Sequence, residues 1–221
     1  MWAVVPVKDF EGAKQRLASA LAPAERVALY EAMLEDVLAA LSDARGLSGV
    51  ALLTREARAA RLAERYGARI IGEPANRGHT AAVATAAQAL AAEGARGLLA
   101  IPGDVPLATS AEIEVALARH GAAPAMTIAP AHDERGSNCV VCSPPGVVPL
   151  RFGDDSFFPH LAAARAVGIE PTVVRLPGLA LDIDTPADLA ALLARPAQTR
   201  AHDYLQNSGI AARFAAREVA A

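Results

Sequence analysis

Three aspartates stand in settings where carboxylates do chemistry. The segment Leu181-Asp182-Ile183-Asp184-Thr185-Pro186 alternates apolar and acidic residues. In an extended strand residues two apart share a face, so Asp182 and Asp184 project together while Leu181 and Ile183 face the core. Neighbouring carboxylates repel, and one has its pKa raised unless a cation sits beside them. A hard divalent ion, Mg²⁺ or Mn²⁺, relieves that repulsion and takes one or two carboxylates plus phosphate oxygens. Capping is the competing duty: Thr185, Pro186 and Asp188 form a helix-start signature, which leaves Asp182 unexplained. Asp104, in Ile101-Pro102-Gly103-Asp104-Val105-Pro106-Leu107, ends a central apolar run. Ligands of open α/β sheets lie at that end of the strands, although an Asx-turn would use the same residue. All three aspartates are therefore candidate metal ligands.

Lys8 and Lys14 are the only lysines, every other one of the 21 basic residues being arginine. Both follow the apolar run Trp2–Val7, and a lysine is a compact charge suited to phosphate. An anionic ligand such as a nucleoside triphosphate is expected there. Two further loops could touch an acceptor: Arg135-Gly136-Ser137-Asn138, and Arg151-Phe152-Gly153-Asp154-Asp155-Ser156. The second leads into a helix whose N-terminus is an anion site with Ser156 as its cap; plain turn and cap duty is an equal alternative. His160 is expected on the surface. Gly78-His79-Thr80 opens another helix and could meet a base or ribose. The Gly-x-x-x-x-Gly-Lys-Ser/Thr, Gly-x-Gly-x-x-Gly and Gly-x-Ser-x-Gly patterns are absent, which leaves metal-assisted phosphate chemistry without a nucleophilic side chain.

The elements that must position these residues alternate. Apolar runs at 2–7, 49–54, 68–72, 97–101, 124–129, 137–142 and 171–176 read as strands. Helical spacing covers 23–42, 55–66, 78–93, 109–119 and 156–167. This rhythm predicts an α/β, Rossmann-like, mostly parallel sheet with helices on both faces. Residues 1–195 form one domain in this reading, and 196–221 a helical tail that could pack on the body or on a second subunit, so a homodimer stays open. The 221 residues carry a net charge of −3 with 53% hydrophobic residues, and the pI is near 6.0. A nucleic-acid partner is not expected from that balance. No run is long enough for a membrane span or shaped as a signal peptide, so a cytoplasmic protein is expected. Cys139-Val-Val-Cys142 lies in a strand pattern that points the two thiols to opposite faces, as buried structural thiols. Arginines 55, 58, 61, 65 and 69, interleaved with Glu56 and Glu64, read as a solvated helix face.

Five blocks in order carry a family resemblance: Val5-Pro6-Val7-Lys8, Ala13-Lys14-Gln15-Arg16-Leu17, Pro102 to Leu107, Phe152-Gly153 with Ser156, and Leu181 to Pro186. Together, over residues 2 to 193, they resemble the 2-phospho-L-lactate guanylyltransferases of deazaflavin coenzyme F-420 biosynthesis. The resemblance implies a nucleotidyltransferase fold of glycosyltransferase-A type. It also implies transfer of GMP from GTP to 2-phospho-L-lactate, phosphoenolpyruvate or 3-phospho-D-glycerate, with release of pyrophosphate. Carried over by position, Asp104, Asp182 and Asp184 hold the metal, and Ser137, Asn138, Gly153 and Ser156 meet the acceptor. Pro6, Val7, Lys8, Lys14, Arg16, Gly78, Thr80 and Asp104 fall on the nucleotide side, with Lys14, Arg16 and Asp104 nearest the chemistry. Glu134-Arg135-Gly136-Ser137-Asn138 stands where the family often has Gly-Thr-Gly-Thr-Asn, and Gly78-His79-Thr80 where Gly-Leu-Asn is common. Acceptor and base therefore stay open. So do another metal-dependent nucleotidyl- or glycosyltransferase and a non-catalytic GTP-binding module.

Overall fold

The computed structural model describes residues 1–7, 9–72, 78–153 and 155–219. Lys8 and Asp154, both named above, lie outside them. The strands are β1 (Trp2–Pro6), β2 (Gly49–Leu53), β3 (Arg69–Ile71), β4 (Leu98–Ala100), β5 (Ala125–Pro130), β6 (Ser137–Ser143) and β7 (Thr172–Val173). They form one sheet in the order β3-β2-β1-β4-β6-β5-β7. All pairings are parallel except those of β6, which runs antiparallel to both β4 and β5. The short connection between β5 and β6 permits a hairpin and no crossover, which fixes that reversal.

The helices are α1 (Pro23–Asp43), α2 (Ala57–Arg65), α3 (His79–Ala92), α4 (Ser110–Ala118), α5 (Phe157–Ala166), α6 (Pro186–Leu193), α7 (Arg200–Asn207) and α8 (Ile210–Val219). Strand alternation distributes them over both faces. Ala3 and Val5 of β1 pack with Leu34 and Leu38 of α1 and Ile113 of α4. Val4, between them, faces Val83, Ala86 and Leu90 of α3. Val140 and Cys142 of β6 pack with Phe157, Leu161 and Ala164 of α5. Cys139 belongs to the α1 side, so the two thiols do point to opposite faces. Both are free and buried, and burial pushes each thiol up to about 12. The arginines of α2 and its flanks are drawn into ion pairs, Arg58 with Glu31 at 3.6 Å and Arg69 with Glu93 at 2.7 Å.

One expectation is corrected here. Residues 181–184 are extended but form no strand; they are held by a single backbone bond from Ile183 N–H to the Asp104 carbonyl at 3.0 Å. The alternation survives without the ladder: Leu181 and Ile183 are buried, and Asp182 and Asp184 are half-buried. Thr185 and Asp188 then form a capping box at the start of α6.

The C-terminal helices pack on their own chain. Ala201, Leu205 and Ile210 enter the core on the α1 side. Asp36 of α1 is 7% exposed and accepts the backbone N–H groups of Arg200 at 2.8 Å and Ala201 at 3.0 Å. It thereby satisfies donors at the start of α7 that have no partner within the helix. Replacing Asp36 by alanine orphans both, and urea unfolding is expected to show a loss of about 2–4 kcal/mol.

Candidate active site

Four segments meet at the carboxyl ends of β1 and β4. The loop after β1 is anchored by Phe10 and Leu17, which are 2% and 0% exposed, and the Phe10 ring lies 5.1 Å from that of Tyr30. Between these anchors Lys14 adopts φ 55° and ψ 40°, the left-handed region that costs an ordinary L-residue roughly 1–2 kcal/mol. The turn sends its side chain inward. Lys14 Nζ lies 2.5 Å from Asp104 Oδ2 and 2.6 Å from Asp184 Oδ1, with the side chain only 5% exposed. Asp104 reaches this point because Gly103 lets the turn lie against α1: a Cβ there would stand 3.0 Å from Leu34 Cδ1.

The electrostatics follow from burial and these contacts. Burial alone would lower the Lys14 pKa, but the charges of Asp104 and Asp184 and their hydrogen bonds hold it above its ordinary value. Burial would raise Asp184, yet the adjacent Lys14 charge and hydrogen bond bring it below the usual carboxylate range. Among the described residues Asp182 has no such cation. Burial raises it, the Asn138 amide donating at 3.0 Å offsets part of that, and the Asp104 and Asp184 charges add to the rise. Asp104 Oδ1 is buried with no hydrogen-bond partner. Lys14 was expected to face a triphosphate; in the structure its ammonium is committed to two carboxylates. Arg16, at 58% exposure with Nη1 3.8 Å from Asp184 Oδ2, faces the opening.

The opposite wall is built from β6 and α5. A bulge in β6 places Ala129 opposite Cys139 but Pro130 opposite Ser137, so Asn138 is the extra residue. Such bulges re-aim side chains. Asn138 turns toward Leu179 and Asp182, donating to the Leu179 carbonyl at 3.0 Å and to Asp182 Oδ1. Ser137 turns toward α5, with its Oγ 2.9 Å from His160 Nδ1. Ser156 sits at the N-cap position of α5 but makes no side-chain cap bond. Its hydroxyl donates to Ser137 Oγ at 3.2 Å, and the Phe157 N–H is taken by the Arg135 carbonyl at 2.8 Å. The expected free helix terminus is thus largely occupied. His160, expected on the surface, is fully buried.

Arg16, Asp104, Ser137, Asn138, Gly153, Ser156, Asp182 and Asp184 all line one cleft of about 660 Å³, a volume suited to a cofactor-sized ligand. Pro6 and Val7 are buried at the end of β1 and do not line it. Neither do Gly78 and Thr80. Gly78, at φ 88°, starts α3, and Thr80 Oγ1 accepts the Phe152 N–H at 2.9 Å, fixing the loop that carries Gly153. Sequence reasoning missed His132 and Asp133, which also line the cleft, as do Phe152 of the expected acceptor loop and Asp188, expected only as a cap. Among the described residues no three His, Cys, Asp or Glu side chains gather closely enough to hold a metal by themselves.

A family model described as guanylyl transferase CofC like matches residues 1–219. The chain belongs to this family. The match includes α7 and α8, beyond the part that the sequence motifs reach. A phosphoenolpyruvate guanylyltransferase of Conexibacter woesei is 38% identical over 192 residues, covering 86% of each protein. A 2-phospho-L-lactate guanylyltransferase of Methanothermobacter thermautotrophicus is 34% identical over 92% of this chain and 89% of the relative. A 3-phospho-D-glycerate guanylyltransferase of Phenylobacterium zucineum is 33% identical over 93% and 95%. Among solved structures, a Desulfovibrio desulfuricans protein assigned to the nucleotide-diphospho-sugar transferases superposes with a TM-score of 0.76 at 17% identity, over 96% of this chain and 97% of that one. A 4-diphosphocytidyl-2C-methyl-D-erythritol synthase gives 0.59 at 13% identity, over 86% and 96%. The fold is that of the nucleotidyltransferases, as the family resemblance implied. Among the described residues no helix is long and apolar enough to cross a membrane.

Behind the cleft wall a buried histidine resists protonation. Burial, with His79 nearby, pushes His160 down to about 4 from an ordinary 6.5. The unfolded chain therefore binds an extra proton between those values, so stability falls as pH drops from 6.5 toward 4. Urea unfolding across this window is expected to lose roughly 3 kcal/mol from His160, and His160→Phe to flatten that part of the profile.

Proposed function

We propose that this chain transfers GMP from GTP to a small phosphorylated three-carbon carboxylic acid, releasing pyrophosphate, as a step of deazaflavin coenzyme F-420 biosynthesis. The observation that carries this reading is the cleft's charge arrangement. Asp104, Asp182 and Asp184 share one pocket with the serine-lined acceptor wall, and Lys14 neutralises only part of their charge. A triphosphate entering such a pocket requires further positive charge, and the donors fit a hard divalent cation. Asp104 Oδ1 is buried and unpartnered, and Asp182 is crowded by like charge. Mg²⁺ takes one or two carboxylates and completes its shell with substrate phosphates, so a three-carboxylate cage is not needed. Asp104 and Asp182 would hold it, and when bound it supplies neutralisation of charge on the reacting phosphates.

The chain's own residues supply position. The acceptor's phosphate oxygen attacks the α-phosphorus of GTP in line; the new P–O bond forms as the bond to pyrophosphate breaks. That phosphate has a second pKa of about 6 and is largely ionised at neutral pH, so no general base is required. Arg16 faces the cleft mouth, where a triphosphate tail meets solvent. Asp184, fixed by Lys14, keeps the 181–184 segment in register so that Asp182 faces Asp104. Ser137, Gly153 and Ser156 receive the acceptor. Guanine as the base and the three-carbon acid as acceptor rest on the relatives' names, several phosphoenolpyruvate guanylyltransferases among them.

Pyrophosphate release from each NTP, with each phosphorylated acid and Mg²⁺, tests the proposal. GTP with one of the three acids is expected to give turnover. Asp104→Asn and Asp182→Asn are expected to lose at least about a hundredfold in kcat with circular dichroism unchanged. Turnover of a nucleotide sugar with no response to any phosphorylated acid would refute it.

A further inference from the structure

The acceptor wall contains a buried histidine with no role assigned above. His160 is fully buried, and each of its ring nitrogens is engaged. Nε2 lies 2.8 Å from the backbone nitrogen of Arg151, a group that only donates. Nε2 must therefore be the lone-pair nitrogen of a neutral ring. The ring proton is then on Nδ1, which lies 2.9 Å from Ser137 Oγ and has to donate to it.

That choice propagates to Ser137. A hydroxyl offers two lone pairs and one hydrogen. One lone pair accepts from His160 Nδ1–H, and the second accepts from the Ser156 hydroxyl at 3.2 Å. With both lone pairs taken, the Ser137 hydrogen has no acceptor among the described residues. Ser137 lines the cleft, so the open direction for that hydrogen is the ligand's space. The opposite tautomer would reverse this: Ser137 would spend its hydrogen on His160 and present a lone pair to an anion.

The surroundings hold the ring in this state. Phe152 packs edge-on against His160 with ring centroids 5.0 Å apart, and its ring also contacts that of His79, with centroids 4.4 Å apart. Thr80 fixes the Phe152 backbone. The same histidine that orients Ser137 therefore also anchors, through the Arg151 N–H, the loop that brings Gly153 to the cleft.

We propose that His160 is a positioning residue for the acceptor: by donating from Nδ1 while Nε2 is tied to the Arg151 backbone, it makes Ser137 an obligatory hydrogen-bond donor to an anionic acceptor oxygen. The inference rests on the proposed guanylyl transfer for the identity of the acceptor. It assigns His160 no contact with substrate and no proton transfer. It explains why a serine whose neighbours are a histidine and a second serine can face an anion without repulsion between lone pairs.

The test combines kinetics with a spectroscopic readout. Ser137→Ala and His160→Phe are each expected to raise the acceptor KM about tenfold or more, the worth of a hydrogen bond to a charged group. The GTP KM should stay within about twofold, since an interaction specific to the acceptor leaves nucleotide binding alone. Adding Ser137→Ala to His160→Phe should cost nothing further, because Ser137 depends on His160 for its orientation while the loop anchor is already lost in the single variant. Multiplicative effects, or an equal rise in both KM values, would overturn the proposal. Nitrogen NMR of the unsubstituted protein reads the tautomer directly, even if His160→Phe fails to fold. A proton on Nδ1 is expected, and one on Nε2 would overturn the proposal. If the unsubstituted enzyme turns over no phosphorylated acid, the functional reading itself has failed; turnover with the wrong tautomer or with additive variants defeats this inference alone.

Discussion

The structure depends on one ammonium group. Lys14 Nζ joins two carboxylates that lie 90 and 170 residues away in the chain. Two carboxylates cannot both stay ionised at a half-buried point without a cation, and removing one member of a buried ion pair commonly costs about 3–5 kcal/mol. Lys14 therefore decides whether the β1 loop, the Gly103-Asp104 turn and the 181–184 segment can converge at all. The left-handed backbone at Lys14 is a local cost that the anchors Phe10 and Leu17 absorb. Its return is a lysine aimed into the protein at the place where the sheet's strands end.

From that fixed point the cleft acquires its character. Asp184 is satisfied by Lys14, whereas Asp182 and one oxygen of Asp104 are left with unmet demand for positive charge. One side of the cleft is thus a carboxylate pair that a phosphate can approach only together with a cation. The other side presents the Ser137 hydroxyl, backed by a neutral buried histidine, and can donate to an anion without adding charge. In the proposed reaction this asymmetry would separate a place for a charged, metal-bound triphosphate from a place for a small anionic acid.

Much of this was legible in the sequence, and the failures share a cause. Strands and helices follow local periodicity, so the expected elements appear with their ends displaced by a residue or two, apart from the 181–184 segment, which forms no strand, and the last strand, which shortens to Thr172–Val173. The Asp182/Asp184 alternation was right for a reason that outlived the wrong element: extended backbone alternates whether or not a neighbouring strand pairs with it. The capping of α6 by Thr185 and Asp188 was readable because it spans four residues. The bulge at Asn138 was not, since the pattern Ser137 to Ser143 reads as an uninterrupted strand. Without the bulge, Ser137 and Asn138 would be assigned to each other's faces. His160 looked like a surface residue because its three partners, Ser137, Arg151 and Phe152, are fixed by packing rather than by spacing. Lys14 looked like a free phosphate ligand because its carboxylate partners come from distant parts of the chain.

The chain's scarcity of lysine makes the central claim directly measurable. With nitrogen-labelled lysine the protein carries two side-chain ammonium signals, which Lys8→Arg assigns. The account predicts that the Lys14 signal stays protonated at a pH above 10.5, where an ordinary lysine has half titrated, and that Asp184→Asn brings its titration down. If Lys14 titrates like an exposed lysine and is indifferent to Asp184, the ion triad does not organise this site and the account is contradicted.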